Sequence, residues 1–148
     1  MKKMLLGVFL LCLGVQTLAN EIGFIDTNLI FQKANFVQTF RESFAEKEKD
    51  FNKILKKKTK KIEDAIAKGK KEEDIREMVK KRDDELEPKK KELMQYEMSF
   101  QQSFLLNVTA TAKKVAEEYG LDIVVDKQVV YYGGFDLTDL VLERLNKK

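Results

Sequence analysis

The side chains on offer for chemistry are lysines and carboxylates. The chain has no histidine, and its one cysteine, Cys12, falls in an apolar N-terminal run. Nucleophile–base pairs of the common kinds need one or the other, so they cannot be assembled here. The seven glycines show no spacing that would cradle a phosphate. No catalytic residue, cofactor or metal is therefore expected, and the chain is not read as an enzyme. Asp83-Asp84 lies in a strongly charged stretch, where a solvated helix face is the ordinary reading. Asp26 and Asp126 could share a site if their strands are neighbours, but capping and strand-end roles suit them better. Asn107-Val108-Thr109 matches a glycosylation sequon and is discounted because it falls on a helix. Tyr131-Tyr132 reads as packing within a small body rather than as a ligand-stacking platform.

What remains is binding. Residues 53–71 hold nine lysines against Glu63 and Asp64. Lys56, Lys57, Lys58, Lys60, Lys61, Lys68, Lys70 and Lys71 are the candidates for contact with an acidic client or an anionic surface. The bland reading is a solvated face that keeps a long arm soluble. Nucleic acid is not the expected partner, because the aromatic residues lie on a helix seam and are not interleaved with the lysines.

The elements that carry these lysines come next. Phe40, Phe44, Phe51, Leu55, Ile62 and Ile66 repeat every eleven residues, a spacing that only a nearly straight helix gives. The stripe is narrow and suits one partner helix. A second series, Ile75, Val79, Leu86, Leu93, Phe100, Phe104, Val108 and Val115, predicts that partner. The first runs at eleven and the second largely at seven, so looser packing is expected mid-arm. Pro88 should kink or break the second helix. Ala67-Lys68-Gly69-Lys70-Lys71 is the turn, followed by Glu72, Glu73 and Asp74 in the next first turn. A connection this short makes the helices antiparallel.

Around this arm lie short elements. Lys2 and Lys3, the apolar run Met4–Leu13 and Thr17-Leu18-Ala19 predict a cleaved export signal over 1–19. Cys12 would leave with it, and Leu11 before it argues against lipidation. Ile22–Asp26 reads as a strand, with Asp26, Thr27 or Asn28 capping a helix that bears Leu29, Ile30 and Phe31, and a bend at Ala34-Asn35-Phe36. Gly120 ends the second arm, Leu121–Asp126 is a strand, and Val129–Tyr132 is expected to be another. After Gly133-Gly134, Asp136 should cap a last helix. The fold class is mostly α with a small β part: a helical hairpin over 36–119 inserted in a body made of 20–35 and 120–148. Such a body is too small to fold alone and has no disulfide, so an oligomer is expected.

Ile22-Gly23-Phe24-Ile25-Asp26 with Ile30-Phe31-Gln32, the Lys/Glu-rich hairpin, the tract Tyr119–Gln128 and the step Asp136-Leu137-Thr138-Asp139 together resemble the Skp/OmpH family of periplasmic chaperones. The resemblance covers essentially the whole chain after the signal. It implies a homotrimer in the periplasm, in which each subunit gives strands to a shared body and one hairpin to a cage. Ile22, Phe24, Ile123, Val125 and Val129 would belong to that oligomerisation body. It also implies an ATP-independent holdase for unfolded outer-membrane proteins, with lipopolysaccharide or an anionic membrane surface as a further partner. The hairpin matches in character only, so no lipopolysaccharide-binding residue is carried onto it. The rival readings are a coiled-coil adaptor of the cell envelope with one folded partner, and a polycation for anionic membranes.

Overall fold

The computed structural model describes residues 21–147, so the expected signal segment lies outside the described residues. In chain order it has β1 (Ile22–Ile25), α1 (Thr27–Lys33), α2 (Asn35–Ala67), α3 (Glu72–Glu118), β2 (Ile123–Asp126), a 3-10 turn (Lys127–Val129), β3 (Phe135–Asp136) and α4 (Thr138–Asn146).

Asp26 begins α1 because its carboxylate accepts from the Leu29 amide at 2.9 Å. Ala34 is extended, which separates α1 from α2 at the expected bend. The α2–α3 turn closes around Gly69, whose φ of 71° is the left-handed conformation that an L side chain resists. The Gly69 amide donates to Ile66 and the Lys70 amide to Ala65, the paired bonds that satisfy a helix's last carbonyls. Tyr119-Gly120-Leu121 ends α3 in the same way, with the Leu121 amide bonded to Ala116. The α3 helix is assigned without a break through Pro88, which rules out the break.

The two ends of the chain meet in one three-stranded sheet of order β2-β1-β3, and both pairings are parallel. Ile22 lies beside Ile123, Phe24 beside Val125, and Gly23 beside Val124. One face of this sheet covers the core. Ile25 from β1, Ile30, Ala34 and Val37 from the first helices, Val108, Ala112, Val115 and Ala116 from α3, Leu121, and Leu137, Val141 and Leu145 around α4 form a single buried cluster. The last turns of α3 therefore supply core that the short strands could not. Gly23 is needed where it is: a Cβ there would lie 2.8 Å from Leu121 Cδ1 and 3.0 Å from Leu137 Cδ1.

Three expectations are corrected. Val129–Tyr132 is not a strand. The Asp126 carboxylate accepts from the Gln128 amide at 2.8 Å and winds the chain into the 3-10 turn, and the strand comes later, at Phe135–Asp136. Tyr131 and Tyr132 do not pack within the chain, being 102% and 99% exposed. Ile66 leaves the seam at 58% exposed, and Ile62 with Ala65 buries the last turn instead.

Candidate functional site: a two-helix arm and the sheet face at its root

The arm is held by a seam one or two side chains wide. At the root, Phe31, Phe36, Phe40, Phe100 and Phe104 form a ring cluster. Phe40 stacks on Phe100 with centroids 3.7 Å apart and planes within 5°. Further out, Tyr96 donates its hydroxyl to Ser43 at 3.0 Å, and Lys47 bridges to Glu92 at 3.1 Å. Beyond Val37 no residue of α2 is fully buried until Ile62, and between Leu86 and Val108 none of α3 is. The middle of the arm is thus half-buried, as a two-helix seam with no third layer is. A cleft of about 160 Å³ opens there between Lys47, Asp50, Phe51, Ile54 and Lys89, Glu92, Leu93, one residue beyond Pro88.

Toward the tip, Lys56, Lys57, Lys60, Lys61, Lys68, Lys70 and Lys71 are exposed. Lys58 is not equivalent to them. It is half-buried and forms an ion pair with Glu85 on the opposite helix. Its ammonium, hydrogen-bonded to that carboxylate, holds Glu85 below the usual carboxylate range, and Lys61 adds to the effect. The lysines also do not stand alone. Residues 72–87 of α3, which run back alongside, carry eight acids against Arg76, Lys80, Lys81 and Arg82. The tip is therefore basic on α2 and at the turn and acidic on much of α3.

Below the root, β-sheet register gathers four of the five expected body residues. Ile22, Phe24, Ile123 and Val125 alternate with the core-facing Gly23, Ile25 and Val124, which puts them on the sheet face away from the core. Ile22 and Ile123 are 46% and 45% exposed there. Val129, on the 3-10 turn, is 65% exposed and outside this register. A groove of about 360 Å³ follows the free edge of β2, lined by Thr109, Ala112 and Lys113 of α3 and by Val124, Val125 and Asp126.

Asp26 and Asp126 do sit at neighbouring strand ends, where they serve in turns and caps and in ties between the two ends of the chain. Asp126 takes the Thr27 hydroxyl and the Gln128 amide. Asp26 caps α1, pairs with Lys127 at 3.3 Å, and its own amide donates to Thr138 Oγ1 at 2.9 Å. The cap position of α4 is Leu137, which makes no side-chain cap bond, and not Asp136 as expected; Asp136 ends β3 one residue earlier and accepts from the Thr138 amide at 2.9 Å. Among the described residues no group of three or more acidic, cysteine or histidine side chains is placed to hold a metal, and no helix is long and apolar enough to cross a membrane.

Sequence reasoning passed over one feature of the arm. From Leu93 to Ala112, α3 carries a single charge, Glu97, in a chain of which 36% is charged. Met94, Met98, Leu105 and Leu106 in that span are all more than half exposed. The gap in charge could have been read directly. The exposure could not, because it depends on which face α2 covers.

The family model described as outer membrane protein (OmpH-like) matches residues 21–145. No curated protein matches the chain.

Proposed function

We propose that this chain, which belongs to the OmpH-like outer membrane protein family, is an ATP-independent holdase that confines unfolded outer-membrane proteins between helical arms. Chaperoning of outer-membrane proteins is the general function of that family, and its members are periplasmic. The division of labour proposed is an arm over 36–119 that meets the client and a body, 20–35 with 120–148, that gathers several copies. The observation that carries the reading is the thinness of the arm. Two helices of 33 and 47 residues share a seam that is only half-buried through its middle. A seam this narrow suits one partner helix and leaves the arm no core of its own. A compliant, highly charged arm can surround a chain without gripping any one sequence, and weak contacts sum when several arms act together. No nucleotide is required, because confinement needs only that unfolded clients bind better than folded ones.

The sheet face of Ile22, Phe24, Ile123 and Val125 supports assembly. It is apolar, close to half-exposed at Ile22 and Ile123 and half-buried at Phe24 and Val125, and lies beside the free edge of β2. A homotrimer that pools these faces would close the body. The exposed lysines of α2 and the turn are assigned to capture of acidic clients, with lipopolysaccharide or another anionic surface as a second ligand of the same charge.

The deciding experiment is suppression of aggregation. The protein, after removal of residues 1–19, should keep several unrelated urea-unfolded barrel proteins soluble on dilution, at near-stoichiometric ratio and without ATP. Protection confined to a single partner, or binding only to a folded one, would replace the holdase with an adaptor.

A further inference from the structure

The sequence between Leu93 and Ala112 is chemically unlike the rest of the arm, and the structure shows which part of it is free. Tyr96, Phe100 and Phe104 turn inward to the rings of Phe40, Phe44 and Phe36. Met94, Met98, Leu105 and Leu106 lie away from that seam at 55%, 52%, 65% and 71% exposure. Gln101 and Gln102, also exposed, fall between them. Steps of four, three and four from Met94 through Met98 and Gln101 to Leu105 keep this face continuous over roughly 18 Å at about 1.5 Å per residue. Lys91 and Lys113 mark its two ends.

We propose that this face of α3, at the root of the arm, is where an uncharged, apolar strand segment of the unfolded client docks. The inference rests on the holdase reading and gives that function an address. Three properties choose this occupant. The first is charge: Glu97, at the border of the face, is the one charge between Leu93 and Ala112, so a segment with lipid-facing side chains docks on Met94, Met98, Leu105 and Leu106 with little loss of ion hydration, whereas on the densely charged flanking arm it would cost much more. The second is hydrogen bonding. The two glutamines offer both donors and acceptors, which suit an extended chain whose backbone groups are unpaired. A helix from a second copy has satisfied its own backbone and would have no use for them. The third is adaptability, because two methionines and two leucines can follow differing side chains from one client to the next. The tip lysines then handle encounter, and this face handles retention.

The test replaces Met98→Gln and Leu105→Gln together. Gln is a good helix former, and both positions are exposed, so helix content, melting temperature and oligomeric state should match the parent. The affinity for a urea-unfolded barrel protein should fall about tenfold, chiefly through faster release, for two large apolar side chains that lose partial burial. In parallel, a photo-reactive residue at position 98 should yield adducts with the client, mapped to its strand segments. Unchanged affinity in the double variant would overturn the proposal. So would adducts formed with a second copy of the chain, or with lipid when anionic vesicles are present. A parent protein that itself fails to hold unfolded barrels would instead remove the holdase reading, and a parent that holds them with the variant equal to it would remove only this inference.

Discussion

Gly23 shows how one missing side chain organises the body. Its Cα stands where Leu121 and Leu137 close over the sheet, and an added methyl would press on both at 2.8 and 3.0 Å. Leu137 is wholly buried, so it has little room to move. Gly23→Ala should therefore destabilise the fold by about 1–3 kcal/mol, as overpacking of a filled core does; urea unfolding of the two proteins measures it. Asp26 carries a second prediction. The Leu29 amide, and after it Lys127, hold its carboxyl below the ordinary Asp range. A carboxylate whose folded pKa is depressed stabilises above its unfolded value, and that contribution is lost as pH falls through the folded one. The body should weaken on acidification below the normal Asp range, and Asp26→Asn, which can still cap, should weaken less steeply across that interval. Thermal melts from pH 6 down to pH 2 compare the two slopes. The cap was readable from sequence because it depends on neighbours two and three residues away. The pairing of Lys58 with Glu85 was not, because it depends on how two helices slide against each other.

At the scale of elements, the arm's period predicts both helices, and β2 falls inside the expected tract Leu121–Asp126, while the last strand was misplaced. The difference is physical. Six apolar positions at eleven-residue spacing allow one answer, whereas Val129-Val130-Tyr131-Tyr132 is a short apolar run that fits a strand or an exposed turn equally well. The Asp126 carboxylate decided it by turning the chain at Gln128. The glycines that follow, at φ 75° and 90°, delay the strand to Phe135. Pro88 gives the arm its own test. It has no N–H for the carbonyl of Asp84, and the cleft around Phe51 and Leu93 lies close by. Pro88→Ala should restore that bond and stiffen the middle of the arm, adding up to about 3 kcal/mol to its helix. Hydrogen exchange of residues 85–93 should slow markedly while that of β1 and β2 stays the same. Equal protection in both proteins would show that Pro88 does not loosen the arm.

For the whole molecule, charge and apolar surface are separated along one axis. The tip is basic on α2, α3 carries a single charge between Leu93 and Ala112, and the far sheet face is apolar. Replacing Lys56, Lys57, Lys60 and Lys61 with Gln, with the Lys58–Glu85 pair left in place, should slow capture of an acidic client several-fold at low salt. Raising salt should bring the parent toward the variant, since the screening length falls from ~10 Å at 0.1 M to ~3 Å at 1 M. Stopped-flow mixing at two salt concentrations reads this, and equal rates at low salt would leave the lysines as solubilising residues. At the opposite end, Ile123→Asp and Val125→Asp put charge on the sheet face that the single chain leaves partly exposed. Subunits should separate in sedimentation while helix content persists. A drop in both together would mean that these side chains serve the chain's own core.

The order β2-β1-β3 also governs how this molecule comes into being. The central strand is made first, and its two neighbours are the last strands to be made. A chain threaded through a membrane from its N-terminus would deliver β1 with nothing to pair with until nearly all the rest had followed. Joining strands across roughly a hundred intervening residues costs about 4 kcal/mol of chain entropy by the logarithmic law. The hairpin removes most of that cost. Once the Gly69 turn has formed, α2 and α3 can zip from the tip toward the root, each step local, until β1 and β2 are brought within reach of each other. The arm is thus an assembly jig for its own body: at one fixed protein concentration, shortening it should leave refolding fast, and cutting it at the turn should make refolding slow.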